Sequence, residues 1–390
     1  MARTPDVSVS GLVLKWAREQ RGLSVAIAAK RSGLTEEKLI SIEANEGSPS
    51  LAQLRGLAKV YRRPLIVLLL DEVPSSFQPL TDYRRLPEAN RNAYSPELRD
   101  EIKRAIQQRT IYSEISEALE QDILEPQLPA VLGDAEKLAN QIRSLLNLNQ
   151  EVVGKIRDSD DAFSFWRSKV EELGVLVLEA SRVEMTEMRG FSIADVLPYV
   201  IVLNGADSPR GKIFTLIHEL GHLCLRNYGV CDLHTKPRER DDLEVYCNAV
   251  AGRVLVPAPF LLDLAIVKQH VFGNTWSEYE LKAICEVSGG ASAEAILRRL
   301  VDLGKATQSE YENYRDHSRE AYEESRRERR SKKSKGGPPP HRMQLRDRGR
   351  PFVRSVFNAY GEGYLSLSDV TEFVGLRVKH LEKLQREAFK

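Results

Sequence analysis

The chain has 390 residues, a hydrophobic share of 42%, and 57 basic against 56 acidic side chains, for a net charge of +1. That length carries two or three domains with sizeable cores, and so even a charge balance singles out no partner. The unbroken apolar run Leu65 to Leu70 is far short of a membrane span, and the N-terminus, Met1 to Ser10, does not resemble a secretion signal, so a cytoplasmic protein with no membrane partner is expected. Cys224, Cys231, Cys247 and Cys285 have no C-x-x-C pairing and are too few for a disulfide scaffold.

In chain order, Leu12, Leu14, Trp16 and Ala17 open a helix, and Leu23-Ser24 starts a second that runs through Ala29. Gly33-Leu34-Thr35 is a tight turn, and Thr35 caps a third helix carrying Leu39, Ile42 and Glu43. Pro49-Ser50-Leu51 begins a fourth, with Leu54, Leu57, Ala58 and Tyr61. This order resembles the XRE/Cro-type helix-turn-helix. The resemblance implies a third helix lying in the DNA major groove, with Glu36, Glu37, Lys38, Ile40 and Ser41 outward. Lys30, Arg31, Glu36, Lys38 and Ser41 are the DNA-contact candidates. Two carboxylates there are poor company for phosphate, and Val25 stands where many members have glutamine, so a helical docking or dimerisation module is the alternative.

Pro64 cannot prolong the fourth helix, and Leu65 to Leu70 is expected to be a buried closing element. Pro74 and Pro79 mark a connection, and Asp82 to Pro87 looks like a docking strip of fused relatives. Pro96 to Gln121 reads as an amphipathic bridging helix, and Ala135 to Leu148 and Asp160 to Leu173 as two more, with Phe165 and Trp166 in the core. Gly174 to Leu178 is an apolar strand. With Phe191 and Tyr199 to Leu203 it suggests a small sheet packed on the next helix.

That next helix is Phe214 to Leu223, whose apolar residues recur at three- and four-residue spacings. His218 and His222 are then one turn apart on one face, where two imidazoles can share one ion. The pattern is H-E-x-x-H. Zinc fits best, with manganese or iron as alternatives. Glu219 fits the role of general base toward a water acidified by the metal. The long metzincin pattern is excluded, because Leu225 and Tyr228 stand where it needs glycine and histidine. A third ligand comes best from Glu244, at the start of the helix-like run Asp241 to Pro257, with Asp241 and Asp242 as runners-up. Between the motifs, His234 and Tyr228 are candidates for polarising an oxyanion.

Together these residues resemble the ImmA/IrrE metallopeptidases, whose signature joins H-E-[LF]-G-H to E-x-x-A-N-x-F-A and an apolar run ending in proline. Here the matching residues are His218-Glu219-Leu220-Gly221-His222, then Glu244, Cys247, Asn248, Val250 and Ala251, then Leu255-Val256-Pro257. Cys247 and Val250 depart from alanine and phenylalanine but stay small or apolar. Upstream, Arg189-Gly190-Phe191 and Pro198 to Asn204 look like the family's short strands. The resemblance implies zinc on His218, His222 and Glu244, with Glu219 activating water. Ala291-Ser292 to Leu303-Gly304 is similar to the family's closing helix.

From Ser318 to Arg350 the composition turns basic and glycine- and proline-rich, as in a flexible linker. Phe352 to Lys390 regains periodicity as helix, glycine turn, helix, which reads as a docking hairpin, with a second helix-turn-helix as the alternative. The expected fold is mostly α (α+β): a helix-turn-helix module (1–72), a helical connector (73–150), a gluzincin-like metallopeptidase domain with a small sheet (151–317), a linker (318–350) and a C-terminal helical hairpin (351–390). The expected function is a transcriptional regulator carrying a zinc endopeptidase. Its partners would be DNA at the N-terminal module and a repressor- or antitoxin-like protein substrate, with a homodimer allowed. The rival is a DNA-binding or antitoxin-type regulator whose metal domain senses or binds without turnover.

Overall fold

The computed structural model describes residues 9–61, 63, 65–72, 94–226, 237–271, 273–318 and 338–390. The strip expected at 82–87 and most of the expected linker lie outside them. The chain divides into two compact units, Met1–Lys103 and Arg104–Lys390.

In the first unit, helices α1 (Gly11–Gln20), α2 (Val25–Ser32), α3 (Glu36–Glu43) and α4 (Leu51–Tyr61) surround Leu14, Ala17, Leu39, Ile42, Leu54 and Leu57. The caps lie where the sequence puts them. Ser24 accepts from the Ile27 N–H at 3.3 Å and Thr35 from the Lys38 N–H at 3.2 Å, satisfying donors that the helix itself leaves unpaired. Gly33 closes α2 in the left-handed region, at φ 74°. Leu65–Leu69 forms a 3-10 turn in which Leu68 is fully buried, whereas Leu69 and Leu70 are exposed. The expected buried run is thus only partly buried, because a three-residue repeat turns one side chain in three inward. The Arg18 guanidinium grips the Glu43 carboxylate with two bonds of 2.7 and 2.8 Å and donates a third to the Leu23 carbonyl. Glu43→Ala leaves that nearly buried cation with only the Leu23 carbonyl and the more distant, exposed Glu19 carboxylate at 3.7 Å. It is expected to cost about 3–5 kcal/mol, read as lost amide protection in α1 to α3; unchanged protection would show the pair to be dispensable.

The second unit is built on a three-stranded sheet of order β1-β3-β2, where β1 (Leu176–Ala180) pairs parallel and β2 (Gly190–Ile193) antiparallel with β3 (Val200–Asn204). Strand β1 starts two residues later than expected and continues through Glu179. It tolerates that carboxylate, which is 1% exposed, because Arg167 and Lys212 bond it at 3.1 and 3.0 Å. Helix α5 (Pro96–Ala118) begins in the first unit, and its later residues contribute here. They are followed by α6 (Ala135–Leu145), the short α7 (Gln150–Val153) and α8 (Ser159–Glu171). After the sheet come α9 (Pro209–Arg226), α10 (Pro237–Leu255), α11 (Ala258–Asp263), α12 (Ala265–Gln269), α13 (Glu278–Val287) and α14 (Ala293–Asp302). Helix α9 lies on β2 and β3 and packs against α8 and α10. Trp166, Ile201, Leu203, Leu216, Ile217, Leu220, Val250 and Val254 join these layers in one core. Trp166 is a core residue as expected, its indole donating to the Gly289 carbonyl at 2.8 Å.

Residues at the C-terminus do more than form a hairpin. Helices α15 (Pro340–Arg348), α16 (Arg350–Gly361), α17 (Leu367–Val374) and α18 (Leu381–Ala388) share a second core with Ile115 of α5. Helix α15 falls inside the stretch expected to be linker. Pro340 opens it at the first helical position, where the missing N–H costs nothing. The last carbonyls of α15 are capped from outside. Arg104 donates to Asp347 at 3.0 Å, Gln108 to Arg348 at 3.2 Å and Arg167 to Arg346 at 3.2 Å. The same arginines reach the outer edge of β1, at the carbonyls of Glu179 and Val177, which closes an edge that could otherwise pair with another chain. Gly349, at φ 82°, has no room for a Cβ, which would stand 2.8 Å from the Val177 carbonyl oxygen.

His270 stacks on Trp276 at 3.7 Å and pairs with Glu280 at 2.9 Å, leaving its side chain 5% exposed. No helix among the described residues is long and apolar enough to cross a membrane.

Candidate metal centre

Helix α9 starts behind Ser208, whose hydroxyl accepts from the Gly211 N–H at 3.1 Å. Its residues Ile213, Leu216, Ile217, Leu220 and Leu223 are buried, which fixes the rotation of the helix. His218 and His222 therefore emerge together on another face, 13% and 19% exposed. Helix α10 crosses α9 with Cys247, Val250 and Val254 turned inward, which brings Glu244, one turn earlier, over the two imidazoles.

The three groups converge. The two Nε2 atoms are 3.0 Å apart, and the Glu244 carboxylate oxygens lie 3.2 Å from that of His218 and 3.3 Å from that of His222. Donors at about 2.0–2.1 Å from one tetrahedral ion stand about 3.3–3.4 Å from each other, so the cluster has the span of ligands sharing one cation. Two neutral imidazoles and a carboxylate also make a donor set suited to a borderline divalent metal. His218 first, then His222, hold the Glu244 carboxyl well below the usual carboxylate range, so it is available as an anion. Among the described residues these are the only three of their kind that come together in this way. Asp242 is exposed and outside the cluster, and the side chain of Asp241 lies outside the described residues.

Glu219 is 8% exposed, and its Oε2 accepts from the Ser192 hydroxyl at 2.9 Å. Ser192 lies on β2. The strand comes this close because residue 190 is glycine, where a Cβ would stand 2.5 Å from Thr215 Cγ2 of α9. Nothing in the sequence marks Ser192 as a partner of Glu219, since the link exists only once β2 is laid on α9. Asn204 is another residue that periodicity misses. Fully buried at the end of β3, it donates to the carbonyls of Val183 at 3.0 Å and Met188 at 2.8 Å and shapes the approach to β2.

Cys247 is fully buried and faces Gly221 rather than the cluster, as expected of a packed small residue. Burial, then neighbouring Cys247, pushes the Cys224 thiol far above its usual range, so it stays protonated. Tyr246 donates to the Val131 carbonyl at 3.0 Å, and burial raises its phenol to about 12. Tyr228 and His234 lie outside the described residues.

In the first unit Lys30, Arg31 and Glu36 are exposed, while Lys38 and Ser41 are half-buried, facing the turn at Gly47. Arg31 is bonded to Glu97 at 3.2 Å, both partly exposed.

Residues 170–297 match the family described as the IrrE N-terminal-like domain, and residues 14–68 match the one described as helix-turn-helix. The chain joins a helix-turn-helix module to an IrrE-like metallopeptidase-family domain. Within the IrrE-like domain fall all of β1 to β3, α9 and α10, and therefore every residue of the cluster. The chain is 30% identical over 103 residues to the radiation response metalloprotease IrrE of Deinococcus radiodurans, a stretch covering 25% of this chain and 30% of that relative.

Proposed function

We propose that this chain is a regulator whose IrrE-like domain, loaded with zinc on His218, His222 and Glu244, cleaves a protein partner such as a repressor or antitoxin. The observation that carries the reading is the convergence of those three donors, 3.0 to 3.3 Å apart, on two packed helices beside a nearly buried glutamate. When bound, the ion would act as a Lewis acid toward the scissile carbonyl and the attacking water. Glu219 takes a proton from that water and passes it to the departing amine. Ser192 holds one of its oxygens, so the other is the one aimed at the reaction. Strand β2 is an edge of the sheet beside α9, and an extended substrate adds to it by backbone pairing. The helix-turn-helix module binds DNA, with Lys30 and Arg31 on phosphates and Glu36, Lys38 and Ser41 near base edges. The name of the matched relative, a radiation response metalloprotease, supports proteolysis as the output of a response.

Incubating the zinc-loaded full chain with proteins encoded near its own gene, with and without a chelator, tests this. A partner cut only in the absence of chelator is the expected result. A partner bound but never cut would leave a binding or sensing domain in place of a peptidase.

A further inference from the structure

The segment around Gly375 repeats the N-terminal helix-turn-helix residue by residue, at a constant spacing along the chain and without insertion. Ser24 and Ser366 are both N-caps of eight-residue helices, accepting from Ile27 N–H at 3.3 Å and Asp369 N–H at 3.2 Å. Those helices end on Gly33 at φ 74°, ψ 21° and Gly375 at φ 67°, ψ 31°. After each glycine a leucine N–H turns back to the same position, Leu34 to Ala29 at 3.0 Å and Leu376 to Thr371 at 3.2 Å. The next residues, Thr35 and Arg377, are both extended N-caps. Leu39 and Ile42 of α3 are buried in one core, and Leu381 and Leu384 of α18 are buried in the other. On the preceding helices, buried Leu14 and Ala17 correspond to buried Val356 and Ala359. A shared cap, turn, hydrogen bond and burial pattern is what defines the motif physically, and a simple hairpin requires none of these to match.

The outward faces differ in charge. Where the N-terminal copy shows Glu36 and Glu37, this one shows Val378 and Lys379, and its exposed face continues through Lys383, Gln385 and Arg386. Among its acids only Glu382 lies on that face, and it pairs with Arg386 at 2.9 Å. Glu387 is held on the other side by Arg342 and His341 at 3.1 and 3.4 Å, and Arg350 caps its carbonyl at 2.7 Å. The face from Arg377 to Arg386 is therefore left open and basic. Val378, 56% exposed, is an apolar side chain of the kind that can meet a thymine methyl in the major groove.

We propose that residues 356–386 form a second helix-turn-helix that binds double-stranded DNA through Arg377, Lys379 and Lys383. This goes beyond the peptidase reading and does not depend on it.

The test uses the full chain and duplexes of random sequence carrying 5-iodouracil, with photocrosslinks mapped by mass spectrometry and affinity followed across salt. Three proteins are compared: wild type, Lys379→Glu/Lys383→Glu, and Lys30→Glu/Arg31→Glu. Crosslinks within 377–386 are expected in wild type and in the N-terminal variant, and their loss in the C-terminal one. The C-terminal variant should also bind on the order of tenfold more weakly, with a log–log salt slope smaller by about 2. All four substituted lysine and arginine side chains are exposed, so circular dichroism melts should coincide with wild type. Crosslinks confined to residues 9–72, or affinity and slope unchanged by Lys379→Glu/Lys383→Glu, would overturn the inference while leaving the N-terminal module intact. Absence of DNA binding in all three would overturn both.

Discussion

Glu219→Gln is expected to lower turnover of a cleaved partner by about 10²–10⁴-fold while the protein keeps its full complement of metal. Glutamine preserves the shape of the side chain and can still meet the Ser192 hydroxyl, which the glutamate meets at 2.9 Å. It cannot take up the proton of the attacking water. The proposed ligands His218, His222 and Glu244 are untouched, so metal content separates loss of the base from loss of the site. Turnover retained in a metal-replete Glu219→Gln protein would remove Glu219 from the mechanism. Loss of metal together with activity would make it a structural support of the cluster.

A large loss of stability is expected in the second unit from Glu179→Ala. Its carboxylate sits on β1 with 1% exposure between Arg167 and Lys212, at 3.1 and 3.0 Å. Removing it leaves two largely buried cations without their shared anion, for a cost of about 3–5 kcal/mol. Arg167 also donates to the Arg346 carbonyl at the end of α15, so the docking of the C-terminal helices on β1 should loosen with it. Urea unfolding followed by tryptophan fluorescence in a Trp16→Phe background reports this unit, since the other tryptophans, Trp166 and Trp276, both lie in it. A shift in midpoint worth less than about 1 kcal/mol would mean that water or a rearranged side chain replaces the carboxylate. Glu179→Gln, which keeps hydrogen bonding without the charge, should fall between the two.

The parts of the fold that follow from local rules were legible in the sequence. Ser24, Gly33 and Thr35 announced the caps and turn of the first unit, and the spacing of Leu216, Ile217, Leu220 and Leu223 placed His218 and His222 on one face. Glu244 was legible as a candidate because its helix could be outlined from Asp241 to Pro257. It is already preferred there to Asp242, and the crossing of α9 and α10 is what brings it beside the two imidazoles. A buried Glu179 looks like the end of an apolar run until its two cations, one from α8 and one from α9, are in place, so the extent of β1 is not legible in the sequence. The burial of His270 carries no sequence signal for a similar reason, since its stack on Trp276 depends on a loop that periodicity does not describe. Helix α15 was hidden inside a charge-rich, proline-rich stretch, and what holds it there is a set of side chains far away in sequence, Arg104, Gln108 and Arg167. Ser192 carried no signal at all.

Two imidazoles of α9 and one carboxylate of α10 are proposed to hold a single divalent ion. The most direct test is metal content by plasma mass spectrometry, together with zinc titration, on wild type, His218→Ala and Glu244→Ala purified alike. About one zinc ion per wild-type chain is expected, with little or none in either variant and the folds intact by circular dichroism. A wild type that takes up no metal, or a Glu244→Ala protein that binds zinc as tightly as wild type, would contradict that assignment.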